Sequence, residues 1–354
     1  MHSYLFDTEL VRISIILGIV VSILYYNMFG VTTGGAIVPG YLALFIPSPG
    51  HIVATLMLAI LTYWLVQKFF RPRFMLWGRQ LFETEILVAL GLQAIWLGLL
   101  FFLSPYIHAF SLLYGIGFLV PAVIAHDMGR QHIKATLQAA VVCALIVFGI
   151  LTLIGAAREI FGLSEALVPP VYYPQTYAYP VDWLFLGISV GVLISIILYR
   201  YNVLHRVLLG DALRTGGFVT AGYLALFVTR PLDLLFVTVC ASITYLVVTK
   251  IFMKHAILFG RSKMAAMFLT GFIVTWLAEI LLSWSSLQYV PWEGFSAITP
   301  AIVSLLANDA QRQGPPRTFV GVGVATLMVA GTMIGLHEVY TWLIQSDYIF
   351  NLIG

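Results

Sequence analysis

Charge is what this sequence lacks most. Only 9% of its 354 residues are Asp, Glu, Lys or Arg, against 61% hydrophobic, and the mean hydropathy is +0.98. Soluble domains carry roughly 25% charged residues. A chain this apolar has too little polar surface to cover itself in water, so a bilayer is its natural solvent. The net charge of +3 is too small to point to nucleic acid. Cysteine is scarce as well. Cys143 and Cys240 each sit inside an apolar run, which argues against a disulfide framework and for thiols acting as small apolar side chains. Catalytic motifs are missing: there is no G-x-x-x-x-G-K phosphate loop, no strand-embedded G-x-G-x-x-G and no G-x-S-x-G elbow. The eight histidines show no paired spacing for zinc. These gaps argue against a self-contained ATP-driven enzyme and predict neither cofactor nor metal. The opening MHSYLFDTELVR has no basic n-region and no small-residue cleavage site, so the first apolar run reads as a retained helix.

What the sequence does contain is a repeat, the feature to seek first. GGAIVPGYLALF (34–45) returns as GGFVTAGYLALF (216–227). Thr62-Tyr63 returns as Thr244-Tyr245, Gly78-Arg79 as Gly260-Arg261, and Asp127 with Arg130-Gln131 as Asp309 with Arg312-Gln313, always 182 positions on. The chain reads as a tandem duplication: repeat 1 over 1–157, a Pro/Tyr-rich extracytoplasmic linker over 158–182, and repeat 2 over 183–354. Two departures stand out. The interval from Pro300 to Asn308 is three residues longer than that from Pro121 to His126, and a longer basic connection, YRYNVLHRVLLGDALRT, precedes the second double glycine.

A spanning helix needs about 20 apolar residues. Segments 10–29, 51–70, 84–103 and 135–156 qualify in repeat 1, and 183–200, 232–251, 264–284 and 319–344 in repeat 2. Shorter apolar stretches at 34–47, 110–125, 216–229 and 295–307 carry Gly34, Gly35, Pro39, Gly40 and Pro121, then Gly216, Gly217, Gly222 and Pro300. Non-helical backbone at membrane depth survives only when buried in protein or lining a wet cavity, and paired interrupted segments point to a functional centre. The expected fold is an all-α polytopic bundle of two parallel tandem repeats, each with four long helices and two short broken or re-entrant segments. Arg71, Arg73 and Arg79, matched by Lys250, Lys254, Arg261 and Lys263, are expected on the cytoplasmic side, as are Arg130, Lys134, Arg312 and Arg317. A crossing arrangement of the short segments then places the termini and linker outside.

Several residues are candidates for function. Gly34, Gly35, Pro39, Gly40, Tyr41, Gly216, Gly217, Gly222 and Tyr223 form a broken-helix or conduit candidate, since glycine permits close backbone approach and freed amides hold anions. The same pattern serves helix packing, where small residues let membrane helices touch. Asp127, Arg130, Asp309, Arg312 and Gln313 form a polymer- or partner-binding candidate. Their acid and base stand three apart, a spacing suited to an i,i+3 ion pair, and the alternative is a solvated helix end. Arg79 and Arg261 suit bidentate carboxylate binding or simple topology anchoring. Glu83, Glu85 and Glu279 lie at or within apolar runs but have no acidic counterpart in the other repeat.

The run of motifs, Gly222-Tyr223-Leu224-Ala225-Leu226, Thr244-Tyr245, Gly260-Arg261 with Lys263-Met264-Ala265-Ala266-Met267, and Asn308-Asp309-Ala310-Gln311-Arg312-Gln313-Gly314, resembles the PgsC/CapC family of poly-γ-glutamate biosynthesis membrane subunits. The second repeat carries the likeness most fully, and the first keeps traces of it. The resemblance implies a non-catalytic, multi-pass subunit of the plasma (inner) membrane. It implies that this subunit holds an ATP-dependent amide ligase (PgsB/CapB-like) at the membrane and assists export of anionic polyglutamate. Membrane lipid and an extracytoplasmic (PgsA/CapA-like) subunit are further expected partners. An autonomous secondary transporter for a small anion remains the alternative.

Overall fold

Lacking soluble-protein charge, the chain satisfies its backbone with helices. The computed structural model describes residues 7–103, 115–161, 176–200, 213–285 and 289–353, with only the backbone at 103 and 345–353. All regular structure among the described residues is helical. By its contacts the chain divides into two units, Met1–Pro169 with Arg261–Ala265, and Pro170–Gly260 with Ala266–Gly354. The division falls within the expected linker, most of which (162–175) lies outside the described residues, as do 110–114 of one short segment and 201–212 of the basic connection.

The first unit runs α1 (Thr8–Phe29), α2 (Val38–Leu44), α3 (Pro49–Phe74), α4 (Gly78–Leu103), α5 (Val120–Arg130) and α6 (Ile133–Ile160). The second, with the N-terminal turns of its α10 counted in the first unit, repeats the order: α7 (Leu184–Arg200), α8 (Thr220–Leu226), α9 (Pro231–His255), α10 (Gly260–Ser283), α11 (Thr299–Gln313) and α12 (Pro315–Ile353). Among the described residues eight helices (α1, α3, α4, α6, α7, α9, α10 and α12) are long and apolar enough to cross a membrane. The fold is thus a polytopic membrane helix bundle. Its long helices keep apolar residues on their outer faces too, as Phe101, Leu153, Leu281 and Leu327 show, which suits lipid and not water.

Local signals set the helix ends. Asp7 caps α1 by accepting the Leu10 amide at 2.8 Å, and Gly30, at φ 68°, closes it. Proline starts α2, α3, α5, α9 and α11 within their first two positions, where its missing N–H leaves nothing unsatisfied. In the first unit α1, α2 and α6 pack around Ala43, Val147 and Leu151. In the second, α9, α10 and α11 meet around Val248, Met267 and Ala307.

The four short helices are brief even for broken elements. At 1.5 Å per residue, α2 and α8 extend about 10 Å, α5 about 17 Å and α11 about 22 Å, against a hydrocarbon core of about 30 Å.

The structure also resolves the two departures from strict repetition. The glycine loop meets Val123 and Ile124 in the first unit and Leu305 and Leu306 in the second, so the 182 offset holds through α5 and α11. Nothing is inserted between Pro300 and Asn308. Instead, α11 starts three residues earlier, and its proline marks that earlier start. In α1 and α7 the offset changes. Gly18 and Ser22 do in the first unit what Gly191 and Ser195 do in the second, 173 positions on. The connection to the second glycine loop is therefore nine residues longer.

Candidate functional site

Each double glycine forms a loop that only glycine fits well. Gly34 and Gly35 adopt φ of 76° and 110°, and Gly216 and Gly217 of 71° and 97°, in the left-handed region where other residues are strained. A Cβ at Gly34 would stand 2.8 Å from Ile124, so the loop lies flush on α5. The next glycine of the motif makes a helix crossing. Gly40 on α2 meets Gly18 on α1, and Gly222 on α8 meets Gly191 on α7, backbone against backbone. These contacts match small-residue packing of membrane helices.

The crossing leaves a buried carbonyl, which the two units satisfy differently. Ser14 donates to Gly40 O at 2.8 Å, whereas Tyr179 donates to Gly222 O at 3.1 Å. Gly187 occupies the place of Ser14 and leaves room for the Tyr179 ring. Around the motif, Pro39 sits in the first turn of α2, Tyr41 is half-buried, and Tyr223 is buried beside Phe295.

Hydroxyl and amide groups tie the loop down. Thr33 bonds Ser22 at 2.6 Å and donates to Gly35 O at 3.1 Å; Thr215 bonds Ser195 at 2.9 Å and donates to Gly217 O at 3.3 Å. Gln131 accepts the Thr32 amide at 2.9 Å and donates to Thr32 O at 2.6 Å and to Thr136 at 2.7 Å. Gln313 accepts the Arg214 amide at 2.9 Å and donates to Arg214 O at 2.8 Å and to Thr318 at 3.0 Å. The residue following each arginine of the tract is thus a backbone clamp.

The acids turn inward. Asp309 is buried, accepts the Gly217 amide at 3.1 Å and lies 3.8 Å from Arg214. The amide freed by the second double glycine therefore holds an anion that belongs to the chain itself. Asp127 is also buried and accepts from Arg261, one of the residues counted in the first unit, at 3.1 Å. The i,i+3 pairs that the spacing suits are not what these acids make. Arg130 and Arg312 instead end α5 and α11 exposed, without a partner among the described residues. Arg79 is held by Glu83 at 2.8 Å; the matching position of Glu83 in the second repeat is Ala265, which leaves Arg261 without that neighbour.

Some polar groups were not legible as a set. Glu85 is fully buried on α4, and its Oε2 lies 2.6 Å from His126 Nδ1 on α5. Met267 and Asn308 hold these places in the second unit. There, a different cluster forms where α9 begins: Asp233 receives Tyr289 at 2.6 Å and the Trp292 amide at 3.1 Å, with Arg230 at 2.6 Å. Burial first, and the bond to Asp233 second, push the Tyr289 hydroxyl up to about 12. The threonines of the clamps did carry a signal, since Thr33 and Thr136 recur as Thr215 and Thr318 at the common offset.

The family described as capsule biosynthesis CapC matches residues 17–137 and again 190–319. The PGA biosynthesis protein CapC of Bacillus subtilis (strain 168) is 29% identical over 157 residues, 44% of this chain and 95% of that protein. The capsule biosynthesis protein CapC of Bacillus anthracis is 33% identical over 131 residues, 36% of this chain and 83% of that protein. No solved structure matches. With the family pattern matched in two stretches that together make up well over half its length, the chain belongs to the capsule biosynthesis CapC family.

Proposed function

We infer that this chain is the non-catalytic membrane subunit of a poly-γ-glutamate synthase, holding an ATP-dependent amide ligase at the membrane and assisting export of the polymer. The family and the name of the Bacillus subtilis relative give the polymer class. The observation that carries the site is the contrast within the repeated tract. Its acids and glutamines are engaged inside the chain, whereas Arg130 and Arg312 are exposed and have no partner among the described residues.

A polyanion arriving from a cytoplasmic ligase needs fixed cations that bind each carboxylate weakly enough to release it. A guanidinium fork also fits a carboxylate in two-point fashion, which an ammonium does not. Arg312→Lys is expected to depress polymer output with membrane level and ligase association intact, and Arg312→Ala to depress it further. Parental output from Arg130→Ala and Arg312→Ala together would reduce both residues to topology anchors.

A further inference from the structure

We propose that the elbow joining α3 to α4 binds the phosphate of an anionic phospholipid headgroup. Three cations gather there without acid. Lys68 lies 5.8 Å from the Trp64 ring centre, Arg71 5.1 Å from that of Trp77, and Arg73 4.9 Å from that of Phe69. None pairs with a carboxylate among the described residues, and the nearby Glu83 is taken by Arg79. Arg71 spends one N–H on Gln67 Oε1 at 2.7 Å, which fixes its fork and leaves its other donors free. Ring faces, not counter-charges, hold these cations, so their charge stays available to a ligand.

Depth points to lipid. Helix α3 has 26 residues, about 39 Å at 1.5 Å per residue, and so outruns a hydrocarbon core of about 30 Å. Its last turns fall in the headgroup layer. Positive residues favour the cytoplasmic side, whose leaflet carries the anionic lipids.

The elbow is also greasy. Met75, turned into the left-handed region at φ 46°, and Trp77 are 79% and 69% exposed. Apolar side chains beside bare cations match the boundary between acyl chains and headgroups. They do not match a free polyglutamate, which offers carboxylates and little apolar surface.

The local helix is unusual as well. Lys68 sits in a π-helical turn, Val66–Phe70, and Lys250 occupies the equivalent place in the π turn Val247–Phe252 of α9. Such turns are rare and concentrate at functional positions. The second unit keeps Lys250 but has Met253 and His255 where the first has Arg71 and Arg73, so the first elbow is the stronger site.

The full chain, purified from nanodiscs of phosphatidylcholine alone or mixed with phosphatidylglycerol, is scored for retained lipid by native mass spectrometry. The parental chain retains phosphatidylglycerol in preference to phosphatidylcholine. Each of Lys68→Gln, Arg71→Gln and Arg73→Gln lowers that preference by up to about fivefold, the value of one basic residue at an anionic surface. Arg71→Lys with Arg73→Lys keeps most of it. Equal retention of the two lipids by the parental chain overturns the proposal. So does undiminished preference in the folded triple glutamine variant, or displacement by inorganic phosphate, which would mark a free-anion site. A triple variant that retains phosphatidylglycerol but no longer captures an amide ligase would make the elbow a protein dock and also overturn it.

Discussion

The side-chain amide of Gln313 pairs with the backbone of Arg214 in both directions, accepting its N–H at 2.9 Å and donating to its C=O at 2.8 Å. Gln131 does the same with Thr32, 182 positions earlier. Each clamp closes a span of 99 residues and fixes the glycine loop against the helix that follows. The irregular backbone before α2 and α8 thereby meets the demand that polar groups at membrane depth be satisfied by protein.

Gln313→Ala removes three hydrogen bonds, two of them to the Arg214 backbone. A loss of about 2–3 kcal/mol is expected, at about 1 kcal/mol for each bond lost. Gln313→Glu keeps an acceptor for the Arg214 amide but sets a carboxylate against its carbonyl, and is expected to do no better. Unfolding midpoints in detergent measure both. Two parental midpoints would show that the clamp contributes nothing.

Gly222→Ala brings a Cβ to 2.6 Å from Ile188 Cα, and Gly40→Ala brings one to 2.6 Å from Ser14 O. Backbone cannot step aside as a flexible side chain can, so both variants should lose monodisperse protein on size exclusion. Gly98→Ala, with nothing within 4 Å, should behave as the parent. If Gly222→Ala eluted as the parent does, the glycine crossing would be ruled out.

Glu85 and His126 are expected to be coupled. Glu85→Met strands His126, and His126→Asn strands a buried carboxylate, a costly state. The double variant copies Met267 and Asn308 of the second unit. It should be more stable than the two single effects combined, with a coupling of about 1–3 kcal/mol. Simple additivity in thermal unfolding would contradict the contact.

Much of this was legible in the residues. The eight long helices follow from apolar run length, and their ends from Pro49, Pro231 and Gly30. The short helices were legible as interruptions, with packing and conduit both open, because a glycine in sequence does not say whether it approaches a ligand or another helix. Gly40 and Gly222 approach helices. The acid–base tract misled for a similar reason. Spacing places Asp309 and Arg312 on adjacent helical positions, but Asp309 finds a backbone amide of the glycine loop, a long-range partner that no local pattern reveals. The prolines misled too: Pro121 and Pro300 look equivalent, yet each marks only where its own helix starts.

From the charge pattern, both elbows are expected on one side of the membrane. Cysteines introduced at Met75 and Ile257, both highly exposed, should label from the same side. The native Cys143 and Cys240 are buried and should react slowly. Opposite accessibility of the two introduced cysteines would end the parallel reading.

The central claim is that this chain works with a ligase and does not transport alone. Vesicles containing the chain, with or without an ATP-dependent amide ligase on the outer, cytoplasm-equivalent face, are supplied with glutamate and ATP and assayed for γ-linked polymer in the lumen. Luminal polymer is expected only when both proteins are present, and no uptake of glutamate or another small anion by the chain alone. Ligase-independent uptake of a small anion, or equal luminal polymer from vesicles lacking the chain, would contradict the account.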